Sequence, residues 1–286
     1  MYVQTAIVRH LMGMLIVTTA FALSGCAALQ PVDANGPRAN APAYPISLAD
    51  PAARLEEASV AWATMSEHYG LAAKTSANLN PDTGTLQDLP ANAGPIALPK
   101  VGTEAVQTEE QTRESLRRFI ADWRQLIGAD PDQLSLVERT DDASGIKVAR
   151  YEQRPFRYPL RGGYGNLLIR FRADRQLVSL SSNCIPNVDR LQAALNGLTP
   201  QLTADDAVAH IKSKGVVTTE TNGRQETFTI PSNAGLAARQ LVVYAQPSSD
   251  HNAGLQLHLA WEIEVTNGPI KSVYLDAISD QVLAVA

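Results

Sequence analysis

Leu255-Gln256-Leu257-His258-Leu259-Ala260-Trp261-Glu262-Ile263-Glu264-Val265 puts an apolar side chain at every odd position and, apart from Ala260, a polar one at every even position. A period of two over this length is the mark of a β-strand with one face in a core and one in water. Asn267-Gly268-Pro269 turns the chain into Val273-Tyr274-Leu275-Asp276-Ala277, and Ser279-Asp280 turns it again into Gln281-Val282-Leu283. Upstream, Thr203 with Asp206 resembles a capping box that opens a helix through Lys214, closed by Gly215. The C-terminal portion therefore reads as a helix followed by an antiparallel sheet.

The same order occurs earlier. Leu116, Phe119, Ile120, Trp123 and Ile127 mark one helical face, and Gly128 follows as a C-cap. Strands are expected at Leu134 to Val137, Ile146 to Tyr151, Leu167 to Phe171 and Leu177 to Leu180, with turn formers between them. Before this unit, Asp50 and Pro51 start a helix whose apolar positions are Leu55, Ala58, Trp62, Met65 and Tyr69. From Thr75 to Val106 the chain is punctuated by Pro81, Gly84, Pro90, Gly94, Pro95, Pro99 and Gly102, which reads as a flexible connector. The expected fold is α+β, with two helix-plus-antiparallel-sheet units, preceded by a signal peptide, a tether and one N-terminal helix. The expected boundaries are 1–25 for the signal, 26–49 for the tether, 50–74 for the helix, 75–107 for the connector, and 108–190 and 198–286 for the two units.

At the N-terminus, Arg9 and His10 precede an apolar run from Leu11 to Leu23, about 13 residues, which suits a signal peptide and is too short to span a bilayer. It ends in Leu23-Ser24-Gly25-Cys26, which resembles the lipobox of bacterial lipoproteins. That resemblance implies cleavage between Gly25 and Cys26 and a diacylglyceryl thioether on Cys26. Acyl chains at one cysteine, at about 0.8 kcal/mol per buried CH₂, would hold the chain at a bilayer. Ala27, where lipoproteins kept in the inner membrane commonly carry aspartate, implies the outer membrane facing the periplasm in a Gram-negative cell. Pro31, Pro37 and Pro42 among small polar residues mark the tether after Cys26.

The chain has 286 residues, 24 basic and 29 acidic; without the signal, which holds Arg9 and no acid, 23 basic side chains face 29 acidic ones, a formal charge of −6. An acid excess argues against nucleic acid as a partner. With Cys26 acylated, Cys184 is the one remaining thiol, so no internal disulfide is expected. Cys184 reads as a small apolar residue at a strand end, with a redox handle or a disulfide to a partner as the competing readings.

The region from Thr112 to Ala286, roughly 60% of the chain, resembles the pro-segment of secreted thermolysin-like metalloproteases, a fungalysin/thermolysin-propeptide motif joined to a PepSY domain. The tryptophan strand Leu259 to Val265 and the hairpin at Val273 to Leu283 carry the PepSY likeness. Tyr151-Glu152-Gln153, Gly162-Gly163, Leu167 to Phe171 and Leu177 to Leu180 carry the other. Asp280 and Arg175 stand where the family's turns usually have glycine. The chain also ends where a pro-segment would continue into its protease, so inhibition or folding assistance would act in trans.

Candidates for chemistry are sparse. His68, His210, His251 and His258 are scattered, without the helical pair and glutamate of a thermolysin-like zinc site, so no metal or other cofactor is expected. No serine stands in a nucleophile elbow, and no loop has phosphate-cradling spacing, so no catalytic residue is nominated. Gly162-Gly163-Tyr164-Gly165 reads as a turn or bulge, Asp141-Asp142 and Asp205-Asp206 as structural, and Arg113, Arg117, Arg118 and Arg124 as a solvated helix face. The expected function is that of a non-enzymatic, membrane-anchored envelope lipoprotein that binds another exported protein, a protease in trans being the leading partner. The alternative is a structural or sensing lipoprotein of an envelope assembly with no protease link.

Overall fold

The computed structural model describes residues 43–286 except 49, 73–74, 91–92, 104–107, 142–144, 215, 220–224, 232, 249–253 and 269. Gly25, Cys26, the signal and most of the tether lie outside the described residues. The described residues fall in one compact unit spanning 42–286. With 27% helix and 35% strand, the class is α+β and sheet-rich.

The end of the expected tether is a strand, β1 (Ile46–Ser47), followed by α1 (Pro51–Tyr69). Asp50 caps α1 through the Ala53 amide, Pro51 fills the first position, and Gly70 ends the helix. The expected face is buried: Ala58, Trp62 and Met65 enter the first core, and Tyr69 Oη donates to the Ala97 carbonyl at 3.1 Å.

The expected flexible connector over 75–107 is corrected by the structure, because its described residues are packed. β2 (Asn78–Leu79) pairs with β3 (Leu86–Asp88), and Leu86, Ile96 and Leu98 are fully buried. The Leu89 amide donates to the Leu180 carbonyl at 3.0 Å and the Leu98 amide to that of Arg175 at 2.9 Å. These apolar residues follow no period, so the sequence pattern hides them. What orders them is a sheet edge elsewhere in the chain that accepts their amides.

α2 (Glu109–Asp122) starts before the apolar pattern indicates, because Thr108 and Gln111 form a reciprocal capping box. The helix breaks at Trp123 and resumes as α3 (Arg124–Ile127), capped by Gly128. Strands β4 (Leu134–Asp141), β5 (Lys147–Gln153), β7 (Asn166–Phe171) and β8 (Leu177–Ser182) then form an antiparallel sheet in the order β4-β5-β7-β8, with β6 (Leu160–Arg161) leaving it between β5 and β7. Ala149, Tyr151, Leu167, Ile169, Phe171 and Leu180 face the core that holds Leu116, Phe119 and Ile120 of α2. The β3 segment lies beside the β8 edge. At the β4 edge, pairing with β5 is interrupted by a bulge at Leu136–Glu138, and Leu136 and Val137 are 38% and 40% exposed.

α4 (Val188–Asn196) has no counterpart in the expected elements, and α5 (Ala204–Lys214) opens on the Thr203–Asp206 box. β9 (Val216–Thr219) and β10 (Gln225–Phe228) make a hairpin. β11 (Gly235–Pro247), β12 (Leu255–Thr266), β13 (Ser272–Asp276) and β14 (Val282–Val285) form the second sheet, in the order β14-β13-β12-β11-β6. Trp261, Ile263 and Val265 pack with Ala207 and Ile211 of α5, while Leu255 and Leu257 pack with Val188, Leu191 and Leu195 of α4. Both helices thus cover the odd face of β12. Asp280 and Arg175 hold positive φ angles of 55° and 73° at the two turns where the resembled family has glycine.

Candidate functional site

The run Arg154-Pro155-Phe156-Arg157-Tyr158-Pro159-Leu160-Arg161-Gly162-Gly163-Tyr164-Gly165 joins the two sheets and shapes a broad concavity. β6 within it pairs parallel to β11, with Leu160 opposite Val243 and the Val243 amide donating to the Pro159 carbonyl at 2.9 Å. Gly162 (φ 96°) makes that approach possible, since a Cβ there would sit 1.9 Å from the Ala245 carbonyl oxygen. The turn expected at Gly162 to Gly165 is where the structure has it.

The resulting cleft, about 770 Å³, is lined by Arg154, Phe156, Arg157, Tyr158 and Tyr164 and bounded by Tyr274. Arg154 pairs with Glu152 at 2.9 Å, and the Arg157 guanidinium lies 5.2 Å from the centre of the Tyr158 ring. Arg161 Nε donates to Glu262 Oε1 at 3.0 Å; Tyr274 Oη donates to the same oxygen at 3.2 Å and Gln240 Nε2 to Oε2 at 2.7 Å. Burial pulls the Glu262 carboxyl upward, but the Arg161 and Gln240 hydrogen bonds outweigh it and hold the group below its ordinary value. Tyr164 Oη donates to Asp82 Oδ2 at 2.7 Å, and burial followed by that carboxylate pushes the phenol upward. The cleft offers cations, aromatic surface and loop amides. Among the described residues lining it there is no histidine, cysteine or serine.

A second polar cluster is buried at the meeting point of three strands. β13 covers one side of β12 from Ala260 to Glu264, and β1 continues that side at Gln256 and Leu257. The gap between them is filled by Tyr44, whose Oη accepts from the Leu259 amide at 3.1 Å and donates to Asp276 Oδ2 at 2.7 Å. His258 Nδ1 contacts the same carboxylate oxygen at 2.7 Å, while Asp276 Oδ1 takes the Ile278 and Ser279 amides at 2.8 and 2.9 Å. With Nδ1 donating to the carboxylate, Nε2 is left as acceptor for Gln246 Nε2 at 3.3 Å. Burial would raise the Asp276 carboxyl, but His258 and the other donors hold it below its ordinary value. His258 is buried, a correction to the fully wet even face: the Tyr44 ring stands edge-on to it at 5.8 Å. The arrangement has the acid and histidine of a triad, and the second ring nitrogen meets the Gln246 amide. Through Tyr44 the cluster ties the start of β1 to β12 and β13.

The remaining candidates are dispersed. Cys184 is fully buried, and burial pushes its thiol up to about 12. His68 packs edge-on against Tyr69 and Trp123, and His210 lies 3.8 Å from Asp280. His251 and Asp142 lie outside the described residues, as does the side chain of Asp141. Asp205 and Asp206 occupy the first turn of α5, where Asp206 accepts from Thr203. Arg113 pairs with Glu109 at 2.9 Å, Arg117 and Arg118 with Glu114 at 2.7 Å each, and Arg124 with Asp130 at 3.8 Å. Hydrogen bonds from Arg117 and then Arg118 hold the Glu114 carboxyl down at about 2. No group of three or more His, Cys, Asp or Glu placed to hold a metal occurs among the described residues, and no helix among them is long and apolar enough to cross a membrane.

Sequence reasoning passed over the cleft arginines and the partners of His258. The first had a signal, the alternation of arginine and aromatic residues from Arg154 to Tyr164. The second had none, because Tyr44, His258 and Asp276 meet only through strand pairing. No protein-family model matches this chain, and no curated protein matches it.

Proposed function

We propose that the chain is a non-enzymatic envelope lipoprotein, anchored through Cys26, that binds another exported protein and acts on a protease in trans as inhibitor or folding helper. The observation that carries the reading is an unpaired sheet edge. Along Gly235 to Val242 of β11, no described strand lies opposite β12, since β6 pairs only at Val243 and Tyr244. Such an edge offers backbone donors and acceptors to an extended partner segment, the usual basis of strand addition. Supporting the pro-segment reading are the order of helix and antiparallel strands, found twice, and the positive-φ turns at Arg175 and Asp280. On this reading 108–190 is a propeptide-motif-like unit and 198–286 a PepSY-like one. The lipobox resemblance supports an address in the cell envelope.

The test is a photocrosslinking amino acid placed at Ala237, exposed on β11, in the full lipidated chain in its own envelope, with a second placement at Glu67 on α1 and a Cys26→Ala control. Crosslinks from 237 to an exported metalloprotease, lost without the anchor, support the reading. Crosslinks only from 67, and only to envelope assembly proteins, overturn it in favour of a structural or sensing lipoprotein.

A further inference from the structure

Resting on the reading of the chain as a binder of exported proteins, we infer that the cleft between Arg154 and Tyr164 receives an acidic, extended segment of the partner. The first argument is charge. The chain as a whole is acidic, at −5, yet the cleft is lined by Arg154, Arg157 and Arg161, with Glu152 the one carboxylate among its lining residues and Glu262 behind Arg161. Two of these cations already have carboxylates, Arg154 at Glu152 and Arg161 at Glu262. Arg157 has none among the described residues; its contact is the Tyr158 ring, which holds an exposed guanidinium at the mouth. A cation kept in place by stacking keeps its donors for an incoming carboxylate.

The second argument is the backbone. The amides of Phe156, Arg157, Tyr158 and Gly163 have no intramolecular acceptor among the described residues. The β6–β11 register also turns the Leu160 amide away from β11. Successive free donors beside half-buried aromatic rings match a peptide, which brings a carbonyl at every residue and apolar side chains between its acids. A membrane surface fits less well. The exposed large apolar residues, Val60, Leu136, Val137 and Val178, lie outside the cleft, and its own aromatics are half-buried. At about 770 Å³ the cleft falls within the range of about 300–1,000 Å³ typical of ligand sites.

The experiment is a fluorescence-anisotropy titration of the full chain with a labelled, end-capped heptapeptide, Glu-Asp-Leu-Glu-Tyr-Asp-Glu, and with its Gln/Asn counterpart. The acidic peptide is expected to bind about tenfold more tightly than the neutral one, and to weaken steeply as salt rises. Arg157→Glu is expected to weaken acidic-peptide binding about tenfold and Arg157→Gln about threefold, while Arg118→Glu on α2, the same change in charge elsewhere, leaves it within about twofold. Equal affinity for both peptides, an Arg157→Glu chain that binds as wild type, or binding confined to phosphatidylglycerol vesicles overturns the inference. Crosslinking from position 237 is read in parallel. Protease capture there without peptide binding refutes the cleft and leaves the proposed function standing. Peptide binding governed by Arg157 without any capture supports the cleft and removes that function.

Discussion

Replacing Asp276 by alanine removes an acceptor shared by four donors: Tyr44 Oη and His258 Nδ1 at 2.7 Å, and the Ile278 and Ser279 amides at 2.8 and 2.9 Å. The carboxylate is fully buried, so the donors it leaves do not simply change to water. Each orphaned donor costs about 1–3 kcal/mol, but the two loop amides can relax toward solvent, which brings the sum to about 3–5 kcal/mol. For a chain of this size that lowers Tm by about 6–20 °C. Asp276→Asn keeps an oxygen for the two amides and should lose about 1–2 kcal/mol. The carboxyl pKa is lowered in the folded state, so its contribution is complete above the unfolded value of about 4 and is lost as pH falls through the folded value. The stability gap between wild type and Asp276→Asn should therefore narrow below about pH 4. Calorimetry and urea melts over a pH series make the measurement. A Tm for Asp276→Ala within about 2 °C of wild type, or a gap that does not narrow with acid, would refute the reasoning.

Gly162→Ala drives a Cβ to 1.9 Å from the Ala245 carbonyl oxygen, so it should cost about 2–4 kcal/mol and raise hydrogen exchange at the Val243 amide; wild-type exchange there would remove β6 as the tie between the sheets. Tyr44→Phe loses the donor to Asp276 and the acceptor for Leu259, about 1–2 kcal/mol, and should speed exchange at the Leu48 amide, which donates to Leu255 just past β1; an unchanged rate would mean β1 is held by packing alone. In a Cys26→Ala chain, Cys184 is the sole thiol, and with its pKa pushed up to about 12 it should resist Ellman's reagent at pH 8 until denaturant is added. Fast labelling of the native chain would show a thiol far more open than its burial implies.

Elements with a period and a cap were legible. α1 begins at Asp50-Pro51 and ends at Gly70, the α2–α3 face uses the expected apolar residues, and β12 presents its odd positions to the core, because each depends on residues within a few positions of one another. The cleft was partly legible, as a glycine turn beside arginines and aromatics. Its function as a tie between sheets was not, since Gly162 meets Ala245 only after β11 is in place. The packed stretch around Leu86, Ile96 and Leu98 was hidden for the same reason: aperiodic chain is ordered by partners supplied from afar.

By itself, then, the sequence determined the α+β class, the main helices, the alternating strand and the turn at Ser279-Asp280, all set by local periodicity and backbone preference. Tertiary structure alone decided that β1 seals the gap beside β13, that His258 is buried against Asp276, and that Arg157 stands over Tyr158 at the mouth of a cleft. Those outcomes rest on register between distant strands, where a slip of one residue exchanges the buried and wet faces, and local patterning carries no record of that register.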